Sequence, residues 1–256
     1  MNIQKITSTM KMVSVSKFLK AEHYLSSARP LGEAALYFYN LAEIRADPRK
    51  HKNVVITCTS DRGLCGSMNA KVCRSANLIL NSHKNLYDLI CIGEKSKYFL
   101  GLEHGEKMIL VVNGIGIGIP TFLDASLIAS KLLEYKFTYG NIIYCRFNNL
   151  LSFKVSQLDL YGMPLLMSTP FFYQYDLDDR HDLLSFIEFT TAALIYYCLI
   201  ETYITELAAR IQTMTNSSKN AAELGKKLNV VYNRKRQAAV TLDLIDIVSG
   251  AAVVTK

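Results

Sequence analysis

The chain has 256 residues and a formal net charge of +7, and half of its residues are hydrophobic. This length and composition allow one full domain with a sizeable core and a further segment. The longest apolar run, Phe189 to Ile200, is shorter than the roughly 20 residues that a helix needs to cross a bilayer. The first residues show no signal or transit pattern. We therefore expect a soluble or peripheral protein without a direct transmembrane segment.

The positive charge is concentrated at the two ends of the chain. Residues 1–20 contain four lysines and no acid, and residues 209–242 contain seven basic residues against Glu223 alone. The remainder of the chain is net negative. Because a strongly charged surface favours a partner of opposite sign, we expect the surfaces that contact the two ends to be acidic.

Residues 179–252 are predicted to form one long helix. All five prolines lie at or before Pro170, and this range contains only two glycines. Such a helix would be about 110 Å long, which is typical of a coiled coil rather than of a globular domain. Its apolar residues recur at intervals of three and four residues, which forms the seam that faces a partner helix in a coiled coil. This pattern shifts register once, near Gly225. The seam residues are Ile204, Leu207, Ile211, Met214, Ser218 and Ala221, followed by Leu228, Val231, Lys235, Ala238, Leu242 and Ile245.

Residues 1–45 are predicted to form the partner helix. They contain neither proline nor glycine before Pro30, and they carry an apolar stripe at helical spacing. We expect the two terminal helices to form a long antiparallel two-helix coiled coil, joined by the middle of the chain. The stripe residues are Ile3, Ile6, Met10, Val13, Phe18, Ala21, Leu25 and Ala28.

Residues 51–170 alternate between β-rich runs and helical windows, which indicates a central Rossmann-like α/β domain with a largely parallel sheet. Thr121 and Asp124 resemble a capping box that opens one of its helices. Residues 154–178 are expected to form an edge strand followed by a loop. Strands are predicted at Asn53–Thr59, Leu86–Ile92, Met108–Val112 and Asn141–Phe147, and helices near Ser67–Asn81, Glu94–Leu100 and Thr121–Tyr135.

One loop of this domain resembles a nucleotide site. Asn113–Gly118 follows a predicted strand and precedes a helix, which is where a phosphate-binding loop lies. Its spacing is G-x-G-x-G rather than G-x-G-x-x-G, and no P-loop lysine follows it. We therefore favour a turn, and a stand-alone Rossmann-like nucleotide-binding enzyme stays as an alternative. That enzyme would lose nucleotide binding when Gly114 and Gly116 are changed.

A second loop, Ser60–Gly66, contains a thiol that could serve as a nucleophile, Cys65. A catalytic thiol needs a histidine base close in space, and no histidine in this sequence has a motif that suggests one. We favour a tight strand-to-helix turn in which Asp61 and Arg62 bond locally. The six cysteines form no C-x-x-C pair. They are expected to be buried thiols in a reducing compartment, and we predict no catalytic residues, no metal and no cofactor.

The basic run at Arg234–Arg236, with Tyr232 nearby, is the type of patch that binds nucleic acid. It overlaps the predicted seam, whereas a DNA-binding basic helix normally diverges from its zipper. No groove-reading motif accompanies it. A basic coiled-coil nucleic-acid-binding protein is thus the second alternative, and we predict no nucleic-acid partner.

Several segments are similar to signatures of the gamma subunits of F-type ATP synthases, and Pro120–Ser126 matches the mitochondrial branch. The resemblance covers nearly the whole chain and is weakest at 84–118 and 154–178. The other matching segments are Asn2–Val13, Ser60–Gly66, Tyr232–Thr241 and Ile245–Ala252.

This resemblance implies a central-stalk rotor subunit at the matrix side of the mitochondrial inner membrane. The two helices would turn inside a ring of alpha and beta subunits. The α/β domain would sit with delta and epsilon on the c-subunit ring of the membrane sector. Proton-driven rotation would then change the beta sites, and the subunit itself would perform no bond chemistry. By motif, the beta-subunit contacts fall on Met10, Arg210, Arg236, Gln237 and Thr241.

The sequence also departs from the family pattern. Thr215 stands where the family has an acid, and Lys226 and Lys235 add positive charge. Family members usually begin further upstream, so the amino-terminal helix is expected to be short. These differences suggest a diverged paralogue or an incomplete sequence. The coupling efficiency does not follow from the sequence, whereas the fold is expected to be unchanged.

Overall fold

A computed structural model describes residues 2–41, 44, 52–82, 86–169 and 180–254. It has the fold class expected from the sequence, an α/β domain together with long terminal helices. Two compact units can be distinguished, unit 1 (Met1–Lys11 and Met214–Lys256) and unit 2 (Met12–Thr213). In chain order the elements are α1 (Asn2–Leu41), β1 (Asn53–Cys58), α2 (Met68–Ser82), β2 (Tyr87–Ile92), α3 (Glu94–His104), β3 (Met108–Val112), α4 (Phe122–Glu134), β4 (Tyr139–Asn149), β5 (Ser152–Tyr161), α5 (Met163–Met167) and α6 (Arg180–Val254).

The sheet of unit 2 has the strand order β3-β2-β1-β4-β5. The first four of these strands are parallel, and β5 pairs antiparallel with β4 at one edge. All of β1 is buried, because α2 and α3 cover one face of the sheet and α4 and α6 cover the other. Strands that are buried on both faces consist of nearly continuous apolar residues, and such runs can be recognised in the sequence.

The region predicted as an edge strand and a loop is partly confirmed. The edge strand is β5, and it begins two residues before the expected start. A short helix, α5, follows it, with Pro164 in the first turn, where a missing N–H costs nothing. The rest of the expected loop, residues 170–178, lies outside the described residues.

The predicted capping box at α4 is confirmed. The N–H of Asp124 donates to Thr121 Oγ1 (3.3 Å), and the N–H of Thr121 donates to Asp124 Oδ2 (2.8 Å). These bonds satisfy two amide donors that the first turn of a helix otherwise leaves without partners.

Replacing Thr121 with alanine is expected to lower the free energy of unfolding by about 1 kcal/mol, because the N–H of Asp124 loses its acceptor. Chemical denaturation checks this value. Thr121→Ser keeps the hydroxyl and is expected to behave like the wild type. Equal losses for the serine and alanine variants would contradict a role for the cap.

Helices α1 and α6 pack antiparallel within unit 2. The ring of Phe38 lies 5.0 Å from that of Phe186, and Arg29 contacts Glu201. Residues later in α1 therefore contact residues earlier in α6, as antiparallel packing requires. The predicted seam is confirmed here by a cluster of apolar side chains. Its buried members are Phe18, Ala21, Leu25, Ala28, Ile200, Tyr203, Ile204, Leu207 and Ala208.

The first half of the predicted stripe on α1 is wrong at three of its four positions, whereas Met10 is half-buried. Ile3, Ile6 and Val13 are exposed, whereas Thr7 and Ser14 are buried. The buried face therefore lies one position further along the helix than the apolar residues suggest. Thr7 tolerates burial because its hydroxyl donates to backbone carbonyls of its own helix, at 3.1 and 3.0 Å.

The second half of the α6 seam has no partner in the described part of the chain. Within unit 1, Met214 is buried, and Ser218 and Ala221 are half-buried. Every side chain from 223 to 251 is exposed, and we call this stretch the exposed segment. It contains the seam residues Leu228, Val231, Lys235, Ala238, Leu242 and Ile245.

Part of α6, within His181–Ala251, is long and apolar enough to span a membrane by length and composition, with a mean hydropathy of 1.8. Within the protein, however, 67% of this window is buried. Such burial is typical of the core helix of a globular domain, which passes the same test.

Candidate functional site

The carboxyl ends of β1, β2 and β3 meet at one edge of the sheet, and the loops after them converge on Asp61. Asp61 Oδ1 accepts a hydrogen bond from the N–H of Glu94 at the start of α3 (3.0 Å). Asp61 Oδ2 accepts from the N–H groups of Gly114 and Gly116, both at 3.0 Å. The expectation that Asp61 bonds locally is therefore wrong, because its partners lie on two other loops.

This arrangement bears directly on the nucleotide alternative. Rossmann-like domains bind phosphates with the N–H donors of a glycine loop and of a helix amino terminus at this edge. Here the Asp61 carboxylate already takes those donors from Glu94, Gly114 and Gly116. The glycine loop folds as a turn around Ile115–Ile117 rather than as an open phosphate cradle.

Cys65 does not have the environment of a nucleophile. It is buried, and its Sγ accepts a hydrogen bond from Asn69 Nδ2 (3.2 Å) and lies 3.6 Å from Ser60 Oγ. Burial raises the pKa of its thiol, which disfavours the reactive thiolate. No histidine is among its hydrogen-bond partners in the described residues. All six cysteines are free and buried, as predicted.

Arg210 connects α6 to the Ser60–Gly66 loop. Its Nη2 donates to Glu206 Oε1 (2.5 Å) and to the carbonyl of Gly63 (3.1 Å). The side chains of Arg210 and Glu206 are only 11% and 4% exposed. Burial raises the pKa of the Glu206 carboxyl, and the charge of Arg210 opposes this shift. Arg210 therefore links α6 to the loop that follows β1, and Glu206, one turn earlier on α6, holds the guanidinium in place.

A second ion pair fastens α1, α6 and β4 together. Arg29 Nε donates to Glu201 Oε1 (2.7 Å), and Arg29 Nη2 donates to the carbonyl of Phe147 (2.7 Å). The N–H of Phe147 donates to Glu201 Oε2 (2.8 Å). The Glu201 side chain is fully buried, and its hydrogen bond raises the pKa of the Arg29 guanidinium. Three elements thus share one closed set of charge-assisted bonds.

The structure does not gather the five predicted beta-contact residues into one unit. Arg210 belongs to unit 2, where its guanidinium serves the bonds described above. The other four belong to unit 1. Met10 is half-buried, while Arg236, Gln237 and Thr241 lie on the exposed segment. The hydroxyl of Thr241 donates to the carbonyl of Gln237 (2.8 Å).

The exposed segment combines apolar and basic side chains. All its charged residues between 226 and 236 are basic. In the described residues, no group of three or more His, Cys, Asp or Glu side chains is arranged to hold a metal ion. The large apolar side chains of the segment are Leu224, Leu228, Val230, Val231, Tyr232, Val240, Leu242, Leu244, Ile245, Ile247 and Val248, each at least half exposed.

Comparisons with known proteins cover nearly the whole chain. A family model described as ATP synthase matches residues 1–254. The chain is 40% identical over 257 aligned positions to the mitochondrial ATP synthase subunit gamma of Drosophila melanogaster, covering 99% of this chain and 86% of that protein. This chain belongs to the gamma-subunit family of ATP synthases. The mitochondrial ATP synthase F(1) complex subunit gamma of Rattus norvegicus is 37% identical, with coverages of 98% and 94%.

Solved structures show the same fold for this gamma subunit. A chain of the Tetrahymena thermophila mitochondrial ATP synthase central stalk and c-ring superposes with a TM-score of 0.71 at 23% identity, covering 83% of this chain and 99% of that one. A chain of the Euglena gracilis mitochondrial ATP synthase OSCP/F1/c-ring assembly gives 0.71 at 16% identity, with coverages of 96% and 95%. The family resemblance read from the sequence is confirmed.

Proposed function

We propose that this gamma subunit is the central-stalk rotor subunit of a mitochondrial F-type ATP synthase. It would couple proton-driven rotation of the membrane ring to conformational change at the catalytic beta subunits. The names of its relatives and the central-stalk assemblies that share its fold support this role. The strongest structural support is the exposure of the apolar and basic side chains on the exposed segment of α6.

The exposed segment requires a partner on physical grounds. A helix without tertiary contacts is marginally stable in water, because most helix stability in proteins comes from packing. Its apolar residues lie on all sides of the helix rather than on one stripe, which is the pattern of a helix that is enclosed. Its uniformly basic stretch at 226–236 favours acidic surfaces. We propose that alpha and beta subunits enclose it.

Individual contacts follow from the motif positions. We propose that Met10, Arg236, Gln237 and Thr241 contact beta, with Arg236 forming bidentate bonds to a carboxylate. We propose that Arg210 also contacts beta. Its bonds to Glu206 and Gly63 leave 11% of its side chain exposed, and this part would make the contact. Delta, epsilon and the c-subunit ring would bind the α/β domain, at the matrix side of the inner membrane.

In this role the chain performs no bond chemistry and needs no cofactor. Rotation changes which face of the shaft each beta subunit contacts, and the difference in contact energy selects the conformation of that site. The Arg29–Glu201 pair bonds to β4 at Phe147, and Arg210 bonds to the carbonyl of Gly63. We propose that these two contacts carry torque between the α/β domain and α6.

Reconstitution with alpha and beta subunits tests the proposal. We expect a stable complex whose ATP hydrolysis at several sites depends on the presence of this chain. If no complex forms under conditions in which another gamma subunit of the family assembles, the rotor function is wrong.

The double substitution of Arg236 and Gln237 by alanine is expected to reduce coupled turnover about tenfold or more. A hydrogen bond to a charged group contributes about 1.5–3 kcal/mol, and 1.4 kcal/mol corresponds to a factor of ten. ATP synthesis by reconstituted complexes in proteoliposomes measures this change. Lys154→Ala, which removes an exposed charge from β5, is the control and is expected to have no effect. Unchanged turnover in the double variant would remove both residues from coupling.

A further inference from the structure

A small cavity lies between α6 and the loops at the carboxyl edge of the sheet. Its volume is about 20 Å³. Asp61 and Gly116 line it from the loop side, and Thr202 and Glu206 line it from α6. All four residues belong to unit 2, so the cavity lies inside one compact unit.

Polar groups converge on this cavity. The hydroxyl of Thr202 is buried, its residue is 4% exposed, and it has no hydrogen-bond partner in the described part of the chain. Two carboxylate oxygens lie close to Gly116, which lines the same cavity. The position that a Cβ atom on Gly116 would occupy is 3.3 Å from Asp61 Oδ2 and 3.7 Å from Glu206 Oε2. A buried hydroxyl left without a partner costs about 1–3 kcal/mol, so a group that bonds to it would be stabilising.

The chemistry of these groups selects the occupant. It must donate to the carboxylates of Asp61 and Glu206 and accept from the hydroxyl of Thr202. One water molecule does both, and a cavity of at least about 10–15 Å³ with two to four polar partners is sufficient to hold it. A Ca²⁺ ion needs six to eight oxygen ligands, more than these three groups supply. Both carboxylates also already have donors, from Gly114, Gly116 and Arg210.

We propose that this cavity is a binding site for a single buried water molecule that bridges Thr202, Asp61 and Glu206. The water joins α6 to the loop that contains Asp61, and it gives the hydroxyl of Thr202 an acceptor. The proposal does not depend on the rotor function, because every group involved lies within unit 2.

The water also solvates a carboxyl group that burial otherwise penalises. The charged groups that face Glu206 are Arg210 on its own helix and Asp61 and Arg62 on the loop after β1. Removing the water leaves Glu206 with less stabilisation of its charge. The pKa of Glu206, which burial already raises, is then expected to rise further.

A high-resolution crystal structure of the full chain, alone or assembled, tests the site directly. We expect a density peak within hydrogen-bond distance of Thr202 Oγ1, Asp61 Oδ2 and Glu206 Oε2. No peak in a map that resolves other buried waters would overturn the proposal. A peak at the shorter distances of a metal ion, with further ligands, would overturn it as well.

Two pairs of variants test the site in solution by water ¹⁷O relaxation dispersion, which counts long-lived internal waters. Gly116→Ala places a methyl group in the cavity, whereas the control Gly118→Ala has nothing within 4 Å of the new atom. Thr202→Val removes the hydroxyl and keeps the shape, whereas Thr202→Ser keeps the hydroxyl. We expect Gly116→Ala and Thr202→Val each to lose one long-lived water relative to their controls. Equal counts within both pairs would overturn the proposal.

Discussion

Replacing Glu201 with alanine is expected to lower the free energy of unfolding by about 3 kcal/mol. The Glu201 side chain is fully buried and accepts from Arg29 and from the N–H of Phe147. Its removal leaves both donors without their acceptor. Arg29 is 35% exposed and regains part of its hydration, which keeps the loss at the lower end of the range for a broken buried pair.

Urea denaturation of the full chain measures this loss, as a lower midpoint with an unchanged m-value. Glu201→Gln keeps the shape and one carbonyl acceptor for the N–H of Phe147, so we expect an intermediate loss. Glu134→Ala is the matched control, because it breaks the ion pair with Lys131 on the surface of α4. Surface pairs contribute little, and no measurable change is expected there. A Glu201→Ala variant as stable as the control would contradict the role of the buried pair.

Much of the fold could be predicted because the chain's local patterns agree with it. The apolar runs located the first four strands, and the Thr121–Asp124 pair marked the start of α4. The error on α1 has a physical cause. A pattern of apolar residues selects Ile6 and Val13, whereas the buried face uses Thr7 and Ser14. The hydroxyl of Thr7 bonds to its own helix, so burial costs it little, and the apolar pattern contains no sign of this.

The candidate site could be predicted only in part, because its bonds join distant parts of the chain. The Ser60–Gly66 loop was recognised as a motif, but Asp61 bonds to residues 33 to 55 positions away. Arg29 and Glu201 are 172 positions apart. One signal was available, since Glu201 is an acid placed directly after the longest apolar run. The proposed beta contacts of Arg236 and Gln237 rest on the motif alone, because the apolar periodicity of a helix reflects packing within its own chain and not contacts with another subunit.

Replacing Gly93 with alanine is expected to destabilise unit 2 by about 3 kcal/mol or more, for two independent reasons. Gly93 has φ 97° and ψ 141°, a conformation that L-residues adopt at a cost of about 1–3 kcal/mol. A Cβ atom there would also lie 2.3 Å from the carbonyl oxygen of Thr59. That oxygen belongs to the backbone after β1, so it cannot rotate away as a side chain would.

The expected damage reaches the candidate site as well as the core. The N–H of Gly93 donates to the carbonyl of Val112 (2.8 Å), and the next residue, Glu94, gives its N–H to Asp61. A shift of this turn therefore pulls a donor away from the Asp61 carboxylate, and thermal unfolding measures the loss. Gly105→Ala is the control, because Gly105 has φ −56° and nothing within 4 Å of a new Cβ. We expect Gly105→Ala to be neutral or slightly stabilising. A Gly93→Ala variant with the same unfolding temperature as this control would show that the turn after β2 relaxes without cost and that the Asp61 contacts do not require it.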